Sequence, residues 1–307
     1  MVLGKNRIAP RPVPSAHMSL IITAGEKMGQ GVGVATVLGA PPELTIASQV
    51  IAPMGVDETE VAGAFRGEPL EVVRCETIDV EVPANAEIVI EGVTIPGERV
   101  DDGPFGEYPG NYISLGNYHS LSHRPFSPVY VVQVTAITMR KDPIFQALLT
   151  GMPTTENHLL KKWSLAATIY DIITRELVPR PDDIRGINLT LGGGSDSHAI
   201  ISIRKRSEST ARDIIYTVLS MRIVVGMVTV VDEDIDIYNP SDVEWAVATR
   251  VRPTRDIIIL PMVPSKNPLA PPVHIHRWGI DATKPLGETR SLYDRAVPPG
   301  VDKVDYV

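Results

Sequence analysis

The sequence predicts an α+β protein, with a β-rich antiparallel first half followed by an alternating α/β second half. Three observations predict it. From Leu70 onward, short β-branched runs alternate apolar and polar residues between turn residues, the pattern of an antiparallel barrel or sheet. Near Thr154 the apolar spacing switches to the helical period. Beyond Pro179 and Pro181, strand-like and helix-like segments alternate, as in an α/β sandwich. The expected division is a first domain over 1–153, a second over 154–284, and a polar tail over 285–307 that carries Pro298-Pro299 and needs a surface to dock on.

The elements follow in order. Residues 32–38, GVGVATV, read as a buried strand. Pro41-Pro42 open a short helix, since proline suits a first turn. Asp57 is the expected N-cap of a helix over ETEVAGAFRG, with acids in its first turn. Four stretches, LEVVRCETIDVEV, AEIVIEGVTI, VYVVQVTAITM and PIFQALL, read as strands. ENHLLKKWSLAATIYDIITREL reads as a long helix stopped by Pro179 and Pro181. INLTL, AIISIRK and MVTVVDEDIDI then read as strands, and TARDIIYTVLSM and DVEWAVATRV as helices.

Composition narrows the classes. The formal charge is −8 with no basic stripe, which argues against a nucleic-acid partner. No apolar run reaches the length of a membrane span. The basic start lacks an apolar stretch behind it, so no signal peptide is expected. One cysteine, Cys75, excludes an internal disulfide framework and makes a cytoplasmic location the default expectation. The 27 prolines cluster as punctuation and form no PxxP tract.

The segment that carries most chemistry is Asp101-Asp102-Gly103-Pro104-Phe105-Gly106-Glu107-Tyr108-Pro109-Gly110. Two carboxylates on a Gly/Pro-bent loop can turn toward one point and divide acid and base roles. Read alone, such a loop is more often only a surface turn. Its surroundings point further. This loop resembles the E-G-P-F-G-E loop of the UbiD family, the reversible decarboxylases that use prenylated FMN. Upstream, Pro53-Met54-Gly55-Val56-Asp57-Glu58 and Phe65-Arg66-Gly67-Glu68-Pro69 are similar to that family's G-V-D-E helix and its turn. Val82-Pro83-Ala84-Asn85-Ala86-Glu87 with Glu91-Gly92 resembles a family strand. Val231-Asp232-Glu233-Asp234, Trp245 to Arg250, and Gly279-Ile280-Asp281-Ala282-Thr283 continue the resemblance in family order over nearly the whole chain.

The resemblance implies a split flavin-reductase-like β-barrel that binds prenylated FMN and metal, followed by an α/β C-terminal oligomerisation domain. It implies Asn6 as a metal and cofactor ligand and Arg11, five residues on, as the clamp for a substrate carboxylate and a cofactor contact. Glu58 falls on the family's metal-ligand glutamate, and Ser48 on a cofactor-contacting serine. The metal would be Mn²⁺ or another divalent ion, with K⁺ nearby, held by hard oxygen donors on the flavin phosphate. Asp102 and Glu107 would complete an acid–arginine–acid network with Arg11, Glu107 as proton donor and Asp102 orienting the arginine.

The sequence departs from the family in four places. The first loop acid is Asp102 where the family has glutamate. The metal histidine has no clear counterpart: Glu26 aligns with it, and His17 falls too early. The helix after that position is short. Gly226 and Met227 stand where the family has a phosphate-contacting lysine. All but the first change fall around the cofactor phosphate and its metal.

Other motifs carry less. Gly192-Gly193-Gly194-Ser195 lacks a P-loop lysine and reads as a turn. Asp232 to Asp236 lacks the glycine of a calcium loop and reads as a strand end leading to a helix. His274 and His276 on a strand share a face with no third ligand. His158 and His198 read as structural or exposed, and Cys75 as buried and inert.

The implied activity is decarboxylation of an aromatic or α,β-unsaturated acid. The alternative is a non-catalytic scaffolding subunit with a weakened cofactor anchor. The expected partners are a small carboxylic acid and a flavin prenyltransferase that supplies the cofactor. Also expected are other copies of the chain, and a second subunit in place of the N-terminal domain of longer relatives. No nucleic acid and no membrane are expected.

Overall fold

The computed structural model describes residues 2–10, 17–50, 55–101, 128–148, 154–177, 181–221, 223, 225–263, 275–296 and 300. The first half is built around one antiparallel sheet. Strand β1 (Arg7–Ile8) leads to helix α1 (His17–Lys27), strand β2 (Gly33–Leu38), and helices α2 (Pro42–Ala47) and α3 (Glu58–Arg66). Strands β3 (Val72–Arg74) and β4 (Glu81–Pro83) form a separate hairpin, and β5 (Ile88–Asp101) and β6 (Pro128–Met139) are long. The order is β1-β6-β5-β2, every pair antiparallel.

Among the described residues this sheet has two open edges, β1 and β2, and a closed barrel is not shown. Two of the four expected strands also change. LEVVRCETIDVEV is not one strand but the hairpin β3–β4 with a turn between. The described part of PIFQALL is irregular, and its Ile144 N–H donates to the Glu87 carboxylate at 3.0 Å.

Local chemistry explains the helices. The Asp57 carboxylate accepts from the Thr59 backbone N–H at 2.8 Å and caps α3. The Thr59 hydroxyl and N–H together hold the Asp57 carboxyl below its ordinary range. Gly67, at φ 79°, ends the helix in the left-handed conformation that glycine adopts at little cost. At Gly92 the β5–β6 ladder bulges, and a Cβ there would strike the Gln133 carbonyl.

The second half opens with α4 (Glu156–Glu176), whose first turn is closed by reciprocal bonds between Thr155 and His158. His158 therefore has a structural role. The sheet that follows comprises β7 (Ile184–Leu189), β8 (His198–Ile203) and β9 (Met227–Asp232), then β10 (Ile257–Val263) and β11 (Ile275–Ala282). Helices α5 (Thr210–Ser220), α6 (Pro240–Arg250) and α7 (Pro253–Asp256) lie between strands. Its order is β10-β11-β9-β8-β7, with β8, β9 and β11 parallel and β7 and β10 as antiparallel edges. One face packs Leu165, Ile169 and Ile173 of α4 and Ile214, Ile215 and Val218 of α5 on Ile201, Val228 and Val230. Each such fully buried aliphatic chain contributes about 1.5–3 kcal/mol. The other face packs Val243 and Ala246 of α6 on Ile200, Val231 and Ile280.

The C-terminal family-like motifs meet in one buried charge network. Arg250, fully buried, binds Asp232 at 3.0 Å and Asp234 at 2.9 Å. Lys284 donates its N–H to Asp232 at 2.6 Å and its Nζ to Asp234 at 3.0 Å. Part of the expected tail docks on this same chain. Lys284 pairs with Asp294 at 2.7 Å, Arg295 with Asp242 at 3.1 Å, and Arg295 stacks 4.8 Å above the Trp245 ring. Among the described residues no helix is long and apolar enough to cross a membrane.

Candidate functional site

Of the predicted site residues the structure describes Asn6, Glu26, Ser48 and Glu58; helix α1 packs on β5, and α2 packs on α3. The first turns of α1 and α3 bring His17 and Glu58 together, Nδ1 to Oε1 3.9 Å, both partly exposed. Helix α2 packs on α3, so Ser48 at the α2 C-cap belongs to the same helical cluster. The Ser48 hydroxyl donates to the Thr45 carbonyl at 2.8 Å and accepts from Gln49 Nε2 at 3.3 Å. Asn6 lies on the surface just before β1. Its carbonyl accepts from the Val134 N–H and from Gln133 Nε2, both at 2.9 Å, which fixes its backbone on β6.

Glu26 is otherwise engaged. Arg99 of β5 grips it through two parallel bonds of 2.7 Å, and the Gly97 N–H adds a third at 3.0 Å. The Arg99 guanidinium also lies 4.1 Å over the Tyr130 ring. Its bond to Glu26 is the main reason the Glu26 carboxyl sits below its ordinary range; burial opposes the shift and the Gly97 bond adds to it. The carboxylate expected as a metal ligand thus ties α1 to the sheet. The histidine that falls too early in the alignment is the one that stands beside Glu58. Helical geometry hid this pairing: His17 and Glu58 are first-turn residues of two helices far apart in sequence.

Arg11, Asp102 and Glu107, the residues on which the implied chemistry rests, lie outside the described residues, as does His274. Gly226 and Met227 both donate their N–H groups to the Ser197 carbonyl at 3.0 Å and lead into β9. Cys75 is half-buried, and burial first, then the charge of Glu91, pushes its thiol up. His198 bridges Thr229 at 3.0 Å and Thr190 at 3.4 Å, a structural placement.

An imidazole nitrogen beside a carboxylate oxygen suits a divalent ion of intermediate hardness. Among the described residues no set of three His, Cys, Asp or Glu side chains could hold a metal. An ion at this pair would need a further donor of another residue type or from outside those residues. The cleft between α3 and the β3–β4 hairpin, about 810 Å³, is lined by Asp57, Glu60, Glu68 and Glu81. Four carboxylates make it a poor seat for a phosphate.

Known proteins share this architecture and sequence. A profile of the 3-octaprenyl-4-hydroxybenzoate carboxy-lyase Rift-related domain, UbiD, matches residues 1–153. A profile of the C-terminal domain of the same carboxy-lyases matches residues 158–282. The chain belongs to the UbiD family. It is 35% identical to an anhydromevalonate phosphate decarboxylase of Methanosarcina mazei over 97% of its own length and 66% of that protein. It is 32% identical to a phenolic acid decarboxylase of Bacillus subtilis over 96% of its length and 60% of that protein. The chain thus spans 60–66% of the length of these curated relatives.

Among solved structures, the UbiD-class enzyme HmfF from Pelotomaculum thermopropionicum, in complex with FMN, superposes with a TM-score of 0.83 at 38% identity. That match covers 99% of this chain and 65% of HmfF. An evolved dimeric form of HmfF in complex with prFMN gives 0.81 at 37% identity, over 99% of this chain and 63% of that one.

Proposed function

We propose that this chain is the flavin-binding and catalytic part of a UbiD-type decarboxylase acting on an aromatic or α,β-unsaturated carboxylic acid. The observation that carries this reading is the match over 99% of the chain to an enzyme seen with FMN. Prenylated FMN, when bound, supplies the electron sink that stabilises charge as CO₂ leaves. The chain's own residues bind, orient and move a proton. Arg11 holds the substrate carboxylate as a planar two-pronged donor. Asp102 orients Arg11. Glu107 protonates the carbon that has lost CO₂.

In this reading His17 and Glu58, with Asn6, would hold a divalent ion, Mn²⁺ by preference with K⁺ as companion, whose charge would offset that of the flavin phosphate. Ser48 contacts the cofactor. Glu26 is a strut, not a ligand. The first unit has the split-barrel architecture, with the first domain over 1–153, the second over 154–284 and the tail beyond. Self-association through the second unit belongs to the same reading. Ile259 and Trp278, cross-strand partners on β10 and β11, stay 66% and 38% exposed, an apolar pair at a sheet edge.

The deciding experiment is coexpression of the full chain with a flavin prenyltransferase. The absorption spectrum and mass of the copurified flavin are then recorded, and CO₂ release is measured from a panel of aromatic and α,β-unsaturated acids. Bound modified flavin with turnover is expected. A chain that takes up no flavin under these conditions is the scaffolding subunit instead.

A further inference from the structure

Helix α4 reaches from the second unit to the first at Ser164. Its neighbours Leu165, Ile169 and Ile173 are sunk in the core of the second sheet, which makes α4 a rigid base. Ser164 is itself buried, and its hydroxyl lies 2.8 Å from the Gln49 carbonyl and 3.0 Å from the Lys161 carbonyl. A serine inside a helix commonly bonds back to the preceding turn. Here the shorter contact goes to a residue 115 positions away.

Gln49 lies in the turn that closes α2. The N–H groups of Ser48, Gln49 and Val50 reach the carbonyls of Leu44, Ile46 and Ala47. Carbonyls at a helix end have no partner within the helix and must find one outside it. The Gln49 carbonyl finds Ser164. The Gln49 side chain in turn donates to the Ser48 hydroxyl at 3.3 Å. Helix α2 also packs on α3, which carries Glu58.

We infer that Ser164 is a positioning residue. Its hydroxyl holds the closing turn of α2, and so sets where Ser48 stands and ties the cofactor end of the first unit to the core of the second. The link to the cofactor rests on the proposed role of Ser48; the hold on the turn does not.

The test uses the full chain with Ser164→Ala and Ser164→Thr. Hydrogen exchange followed by mass spectrometry reads the amides of residues 44–50, and fluorescence quenching reads FMN affinity. Loss of one neutral hydrogen bond is expected to speed exchange of 44–50 by about three- to tenfold in Ser164→Ala, while residues 198–203 keep their protection. Threonine retains the hydroxyl and should restore slow exchange. FMN affinity should fall by a similar factor in the alanine variant.

Unchanged exchange at 44–50 in Ser164→Ala overturns the proposal, and so does equally fast exchange in Ser164→Thr. If Ser164→Ala does not fold, Ser164→Cys, nearly isosteric with a weak donor, is read in the same way. If Ser48→Ala weakens FMN binding but Ser164→Ala loosens the turn without doing so, the link to the cofactor is wrong. If the wild type takes no FMN, the functional reading fails, and the exchange measurement still decides the role of Ser164.

Discussion

Arg99 holds both carboxylate oxygens of Glu26 at 2.7 Å, one guanidinium nitrogen on each. This two-pronged pair joins α1 to β5 and is only partly exposed. Glu26→Gln should cost about 1 kcal/mol of stability at neutral pH, the upper end for such pairs. The Glu26 carboxyl is held below its ordinary range in the folded chain. The stability it adds is therefore complete above the ordinary carboxylate range and lost as pH falls through the lowered folded value. Urea unfolding midpoints of wild type and variant should differ at neutral pH and converge in acid. Divalent-ion affinity should not change; a large loss of Mn²⁺ binding with unchanged stability would make Glu26 a ligand after all.

His17 and Glu58 are expected to act together on the metal. His17→Ala and Glu58→Ala should each weaken Mn²⁺ binding by at least about tenfold, since even indirect partners of a metal site matter that much. Calorimetric titration of the full chain with Mn²⁺ measures both. Wild-type affinity in both variants removes the pair from the metal site.

The legible parts of this fold were those set by nearby residues. Asp57 announced the start of α3 because a cap acts within one turn, and Pro179 with Pro181 announced the end of α4 because proline cannot continue a helix. Strands fared worse. PIFQALL has a strand's composition, yet its described part is irregular, with the Ile144 N–H given to the Glu87 carboxylate, and Glu71 to Val82 fold back on themselves, which a period-two pattern does not report. The sequence motifs around Asp232, Arg250 and Thr283 were visible, yet their meaning was not. They mark a buried charge network that docks residues 284–295. The pairing of His17 with Glu58 needed two helices to be placed side by side, and no local signal encodes that.

For the reaction itself, Glu107→Gln is the informative change. Glutamine keeps the shape of the side chain but cannot give up a proton. Turnover should fall by about 10²–10⁴ while flavin occupancy stays at the wild-type level, because general acid catalysis carries a factor of that size. Rates on an accepted acid, normalised to flavin absorbance, test it. A variant that decarboxylates at the parental rate leaves Glu107 without a role.

A deeply buried carboxylate of the first sheet has a different task. Glu91 on β5 is 1% exposed and accepts from the Glu76 N–H at 3.0 Å and from the Thr77 N–H and hydroxyl at 2.7 Å. The Thr77 hydroxyl also meets that of Thr135 at 2.6 Å, so the turn between β3 and β4 is fastened to the sheet. Burial pushes the Glu91 carboxyl up, but the three donors outweigh it and hold it below its ordinary range. Glu91 therefore stabilises the fold fully above the ordinary carboxylate range and ceases to do so as pH falls through its lowered folded value. Glu91→Gln turns an NH₂ group toward backbone donors and should cost about 1–3 kcal/mol at neutral pH, with the difference fading in acid. The half-buried Cys75 reports on the same turn: its thiol is raised by burial and by Glu91. In Glu91→Gln the loosened turn and the lost charge should both speed Cys75 alkylation at pH 8. Wild-type alkylation rates together with a wild-type unfolding midpoint would show that the turn is held by something else.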